Sequence, residues 1–237
     1  MVKASPDYMR ERYFLAPVYL FSLELRAVDV SVFLFLRYCE SQPKTTGKPS
    51  MEMITQATKK NERVVKEALQ QLKGKNLLRN EHTICFEMER DSLRDRYFFL
   101  PRQLFSLDLE STEIAIYAYL MYRENRYTYQ CWPSYNKIGK ELSIKSTNTV
   151  RKYVYRLVEK GLIDIEHTII RRRDGTCRNG NLMYTLLPIE NAVDCYQRRQ
   201  LEELSLAAAA QSTKKKAREM MEAQPETTLQ LSFVEDL

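Results

Sequence analysis

The amino-acid sequence predicts a mainly α fold with small β-hairpins, built twice in tandem and followed by a C-terminal helical tail. Three observations carry that expectation. Residues 9–40 and 93–124 match at an offset of 84, with 13 of 32 positions identical, and self-similarity at a fixed period marks a repeated unit. In the second copy the apolar residues recur first at helical spacing and then in alternation. Only 6 glycines stand among 237 residues, which disfavours Gly-rich phosphate loops and turn-dense all-β folds. The resulting division is 1–92, 93–188 and 189–237.

The second copy is the clearer of the two. Arg96–Leu100 reads as a short strand interrupted by Pro101. Ser111-Thr112-Glu113 starts a helix in which Ile114, Tyr117, Ala118 and Met121 recur at helical spacing. Ser134 is the expected N-cap of a second helix, with Ile138 and Leu142 facing inward. Ser146 is the expected N-cap of a third, whose buried stripe is Val150, Val154, Leu157 and Val158. Gly161 ends that helix at a left-handed C′ position. The first copy has Asn76 there, the next most tolerant residue of that conformation. Two alternating strands follow, with Ile163, Ile165, His167 and Ile169 on one face of the first and Leu182, Tyr184 and Leu186 on one face of the second. The hairpin tip between them, residues 171–181, carries four arginines. The first copy has an abbreviated hairpin without glycine over Leu77–Met88.

The tail divides in two. Ile189–Ala210 has Val193, Tyr196, Leu201 and Leu204 near helical spacing and is expected to dock on the body or to pair two chains. Lys214-Lys215-Lys216 starts a weaker charged helix, and Gln224–Leu237 is expected to be disordered.

Charge is uneven along the chain. The excess of positive over negative residues is 4 in residues 1–90 and 5 in residues 91–188, whereas residues 189–237 carry a deficit of 3. Two basic bodies with an acidic tail point toward a polyanion partner. The longest nearly apolar run, Val28–Leu36, is too short to span a bilayer, and no signal peptide is recognisable at the start. Five cysteines without a CxxC pair argue for free thiols in a reducing cytoplasm. No P-loop, paired carboxylates or Ser/His/Asp cluster stands at recognisable spacing, and His82 and His167 lie in strand patterns beside apolar neighbours. No enzymatic activity, cofactor, metal or membrane partner is expected.

Three helices followed by a β-hairpin is the architecture of a winged helix-turn-helix, so the full expectation is two tandem winged helix-turn-helix domains. Residues 132–163, WPSYNKIGKELSIKSTNTVRKYVYRLVEKGLI, resemble the helix-turn-helix of bacterial replication-initiator and regulator proteins carried by plasmids and integrative elements. The first copy resembles them more loosely, departing at Glu62 and in its short hairpin. The resemblance implies sequence-specific binding of double-stranded DNA and control of replication on a mobile element, with host replication proteins as further partners through the tail. Gln230-Leu231-Ser232-Phe233 faintly resembles the peptide by which replication proteins bind the sliding clamp.

The residue chemistry fits the reading of a duplex. A helix enters the major groove with its N-terminal side chains on base edges. The third helix offers Lys145, Ser146, Thr147, Asn148, Arg151, Lys152, Tyr155 and Arg156 there, and the hairpin adds Arg171, Arg172, Arg173 and Arg178 for the adjacent minor groove or its phosphates. The first copy offers Lys59, Lys60, Asn61, Arg63 and Lys66 at matching positions, opposed by Glu62 and Glu67. Because the two reading faces differ, an asymmetric or direct-repeat site is expected in place of a palindrome. A transcription regulator using the same chemistry is one alternative, and a winged-helix docking module without DNA binding is another.

Overall fold

The computed structural model describes residues 12–42, 48–80, 83–84, 97–171 and 175–222. It is mainly helical. The first half runs β1 (Tyr13–Pro17), a 3-10 turn (Val18–Ser22), α1 (Ala27–Glu40), α2 (Met51–Thr58), α3 (Glu62–Gly74), β2 (Leu78–Asn80) and β3 (Thr83–Ile84). The second runs β4 (Tyr97–Pro101), a 3-10 turn (Arg102–Ser106), α4 (Ser111–Arg123), β5 (Gln130–Cys131), α5 (Tyr135–Glu141), α6 (Thr147–Glu159), β6 (Ile163–Arg171) and β7 (Cys177–Leu186). Apart from β5, the order repeats element for element. Residues through Cys195 form one compact unit. The boundary between residues 92 and 93 falls in the stretch 85–96, outside the described residues.

Why the halves share one core follows from α1 and α4. Val30, Val32, Phe33, Leu34 and Leu36 are buried around α1, as are Ile114, Ala115, Ile116, Tyr117, Tyr119 and Leu120 around α4. A helix that is apolar on every side must be covered on every side, and here each covers the other. Their leading strands pair as well. β1 runs antiparallel to β4 with Tyr13 opposite Pro101, Leu15 opposite Phe99 and Pro17 opposite Tyr97. Under the repeat, Leu15 and Phe99 are the same position, so the ladder is symmetric about that pair.

The same symmetry governs the aromatic core. Phe21 of the first half inserts among Phe98, Tyr119 and Tyr122 of the second, with ring centroids 5.8, 5.3 and 5.1 Å away. Phe105, its counterpart, inserts among Phe14, Phe35 and Tyr38 at 6.2, 5.2 and 5.0 Å. Contacts at the rim are reciprocal too. Lys59 Nζ donates to the Asp108 carbonyl at 2.8 Å, and Ser143 Oγ, at the matching position, donates to the Glu24 carbonyl at 3.4 Å. All four of these residues have positive φ, between 51° and 54°. Contacts in which residue i meets j and j meets i define an isologous, two-fold interface. This chain builds one within itself.

Several local expectations are met. Ser134 Oγ caps α5 by accepting from the Lys137 amide at 3.2 Å, and Ser50 caps α2 from the equivalent place. Gly161 and Asn76 adopt left-handed φ of 71° and 58°. Other expectations are corrected. Ser146 occupies the N-cap position of α6, but its side chain makes no capping bond. Val158 is only half-buried. The hairpin tip is shorter than residues 171–181, because Arg171 and Cys177 already pair in the ladder. The face of Ile163, Ile165, His167 and Ile169 does not stay inward, since the register shifts between His167 and Ile169 and both are exposed. Ile163, Tyr184 and Leu186 anchor the base of the hairpin. His82 lies outside the described residues.

The C-terminal helix α7 spans Ile189–Glu222 without a break at Gln211. Its first turn buries Ile189 and Ala192, whereas Leu201 and Leu204, read as a docking stripe, are 68% and 66% exposed. Residues from Tyr196 onward group as a second unit. Residues 223–237, including Gln230–Phe233, lie outside the described residues. Cys39, Cys131, Cys177 and Cys195 are free thiols, and no described helix is long and apolar enough to cross a membrane.

Truncating the exchanged ring tests the shared core. Phe21→Ala removes a large buried side chain and is expected to cost roughly 3–5 kcal/mol. Urea unfolding followed by tyrosine fluorescence and by circular dichroism should show both halves melting in one transition; separate transitions contradict a shared core.

Candidate nucleic-acid interface

The interface grows from the α5–turn–α6 unit. Gly139 on α5 lets the turn close. A Cβ there would stand 2.9 Å from the Ile144 carbonyl oxygen, and the Ile144 amide donates to the Gly139 carbonyl at 2.8 Å. This glycine went unremarked in the sequence because its requirement is a close approach and not a turn conformation.

Helix α6 divides into three faces. Val150, Val154 and Leu157 are fully buried. Asn148, Arg151, Lys152 and Tyr155 are exposed and fall within about 100° of arc at 3.6 residues per turn. Lys145, Ser146 and Thr147, leading into the helix, are exposed too. The Arg151 guanidinium lies over the Tyr155 ring, 5.6 Å from its centroid, which restricts where that cation can reach.

The third face is held by protein. Glu110 accepts from Arg156 Nη1 at 2.5 Å and from Tyr153 Oη at 3.0 Å. Glu113, fully buried, accepts from Lys160 Nζ at 2.8 Å and from the Glu110 amide at 2.6 Å. Burial alone would raise the Glu110 pKa, but the hydrogen bonds from Arg156 and Tyr153 outweigh it and hold the carboxyl below its ordinary value. The bond to Glu110 also raises the Arg156 pKa. Arg156 is thus half-buried and ion-paired, apart from the exposed face of Asn148, Arg151, Lys152 and Tyr155. Glu110 and Glu113, which hold Arg156 and Lys160, were missed because they lie more than 40 residues upstream, at the start of another helix. Only their helix-start position hinted at a role.

The hairpin presents two described arginines. Arg171 and Arg178 are both exposed. Arg178 stands opposite Ile170 and Arg171 opposite Cys177, and residues directly across a ladder share a face. The two arginines therefore belong to opposite faces of the hairpin and do not form one cluster. Arg172 and Arg173 lie outside the described residues. Trp132, 46% exposed, joins this region where its carbonyl accepts from Asn181 Nδ2 at 3.2 Å.

In the first half the matching cations are largely spoken for. Lys59 pairs with Asp108 at 2.5 Å, Lys66 with Glu62 at 2.7 Å, and Arg63 with Glu67 at 3.2 Å. Asn61 caps α3, its Oδ1 accepting from the Val64 amide at 3.0 Å, and Lys60 is half-buried. At the positions of Glu62 and Glu67, α6 carries Thr147 and Lys152. The exposed N-terminal face of α6 is free of acids, and that of α3 is not.

Comparison with known proteins agrees with this geometry. A helix-turn-helix domain family model matches residues 107–163, the stretch from the residues before α4 to the start of β6. No curated protein and no solved structure matches the chain. The chain carries a helix-turn-helix domain, a fold suited to DNA binding.

The Glu110 contacts have a pH signature. A carboxyl whose folded pKa is depressed stabilises the fold above its unfolded pKa, near 4.3, and loses that contribution as pH falls through the folded value. Glu110→Gln is expected to cost up to about 1 kcal/mol at pH 6, a partly exposed pair being worth no more. The difference from the parent should shrink on acidification below about pH 4, as measured by urea unfolding. A difference that grows on acidification rules the assignment out.

Proposed function

We propose that the chain binds double-stranded DNA sequence-specifically, with α6 in the major groove and the β6–β7 hairpin as a wing against the adjacent backbone or minor groove. The observation that carries this reading is the acid-free cationic face of Asn148, Arg151, Lys152 and Tyr155 within a matched helix-turn-helix domain. Asn and Arg pair bidentately with adenine and guanine respectively, and Lys holds phosphates. Residues 13–84 are read as a second winged helix-turn-helix, supported by the repeated element order. Its acids make it the weaker partner, holding the backbone more than reading bases.

The internal two-fold revises the expected site. Two readers related by a two-fold axis meet opposite strands of a duplex in the same way, so the natural target is an imperfect inverted repeat and not a direct repeat. Its imperfection follows from Glu62 and Glu67 standing where the other half has Thr147 and Lys152.

We read the biological role as initiating or controlling replication of a bacterial mobile element, with host replication proteins recruited through the tail. The resemblance of residues 132–163 supports this. A transcription regulator is equally compatible with the helix-turn-helix match. A test of autonomous replication of the gene with its flanking DNA distinguishes them.

Gel shifts on a site selected from random DNA test the binding mode. Arg151→Ala is expected to weaken binding by roughly 5- to 150-fold, and Arg156→Ala, whose cation Glu110 already holds, by less than about threefold. Affinity should fall steeply with salt. No salt dependence, or equal losses from both variants, contradicts the proposed face. A footprint of one chain centred on a direct repeat contradicts the two-fold arrangement.

A further inference from the structure

A cavity of about 750 Å³ opens where β1, β4, the C-terminal end of α4 and the start of α7 come together. That size lies in the range of small-molecule sites. Aromatic residues line much of it, among them Tyr13 from the first half and Tyr97, Phe98, Phe99, Tyr122 and Tyr129 from the second. Two carboxylates and one cation also line it. Glu190 is ion-paired to Arg12, and Arg126 donates to the Tyr97 carbonyl at 3.5 Å. The remaining carboxylate is Glu124, which receives no hydrogen bond or ion pair from the described residues.

Glu124 is placed against its own interest. It is the C-cap of α4, beside the negative end of the helix, where a cation and not an anion is favoured. Burial among the rings pushes its pKa up to about 7, only partly offset by Arg126. Aromatic faces are themselves electron-rich and attract organic cations, as in cages that hold quaternary ammonium groups. Rings, helix end and carboxylate thus bring electron-rich groups together around one partly open space.

We propose that this cavity is a binding site for a small organic cation, an ammonium-bearing group held by Glu124 and the surrounding rings. The site lies apart from the exposed face of α6 and does not depend on the chain binding DNA. Around neutral pH Glu124 is the lining group set to change charge. Burial pushes the Tyr117 phenol up and the Cys131 thiol up to about 12, and Glu190 is ion-paired to Arg12. A bound cation stabilises the carboxylate, so affinity should rise as pH passes through 7 and a proton is released.

Calorimetry on the full chain without DNA tests this, with benzyltrimethylammonium as the probe and benzenesulfonate as its anionic control. The cation is expected to bind at millimolar or tighter Kd, at least about fivefold tighter than the control, and about tenfold tighter at pH 8 than at pH 6. Glu124→Gln should abolish both the preference and the pH dependence. That variant removes an unfavourable charge, so thermal melting at pH 8 should show it folded and no less stable than the parent. Undetectable binding at about 10 mM, equal affinity for the two probes, or a preference that survives Glu124→Gln overturns the proposal.

Discussion

The reciprocal insertion of Phe21 and Phe105 is the constraint from which the rest of the architecture follows. Each ring leaves its own half at a 3-10 turn and completes the aromatic cluster of the other. Neither half can then bury its apolar surface alone, because α1 and α4 are apolar all round and each lacks a ring that only the other supplies. The symmetric β1–β4 ladder closes the same seam. An exchange of this kind sets the relation between the two halves by core packing, which admits few alternative arrangements. A flexible tether would leave that relation open.

Within this symmetric frame the halves differ most informatively at one pair of positions. The residue before α1 is Arg26 and the residue before α4 is Glu110. Arg26 binds Asp29, three residues on, and reaches Glu67 of α3 at 3.8 Å. Glu110 binds Arg156 of α6. Both join the start of the first helix to the third helix, with opposite polarity. The polarity sets the charge that the third helix must carry toward the body: an acid in α3, a base in α6. Glu67 is accordingly placed among the cations of α3 and pairs with Arg63, whereas the base used in α6 lies off to one side and leaves Arg151 and Lys152 exposed. One difference at a helix start is thus coupled to the electrostatics of an exposed helix face far away in sequence.

Much of this was legible in the sequence because it is local. The repeat, the order of elements, the Ser134 cap and the left-handed Asn76 and Gly161 follow from spacing and backbone sterics within a few residues. What was not legible is long-range. Periodicity shows that α1 and α4 have wide apolar surfaces but not that these surfaces meet each other. Arg156 has the spacing of a reading residue, and only the placement of Glu110 removes it from that face. The arginines of the hairpin look like one cluster in sequence, and the pleat distributes Arg171 and Arg178 to opposite sides. The exposed leucines of α7 have helical spacing without inward burial, since periodicity reports a face but not what covers it.

A two-fold interface made within one chain differs physically from one made between two copies. In a homodimer every substitution appears twice, so the two reading surfaces stay identical and a bound palindrome has no direction. Here the frame that holds the surfaces is kept symmetric by Phe21 and Phe105, while the surfaces diverge independently, as Glu67 and Lys152 show. The demands separate cleanly because the shared core lies along α1, α4 and their strands, and the diverged residues lie on the outer faces of α3 and α6. Divergence on those faces leaves the seam unstrained. If the proposed DNA binding holds, the product is a reader with a strong end and a weak end in fixed relation. Such a reader marks orientation on DNA, which a symmetric dimer of equal parts does not.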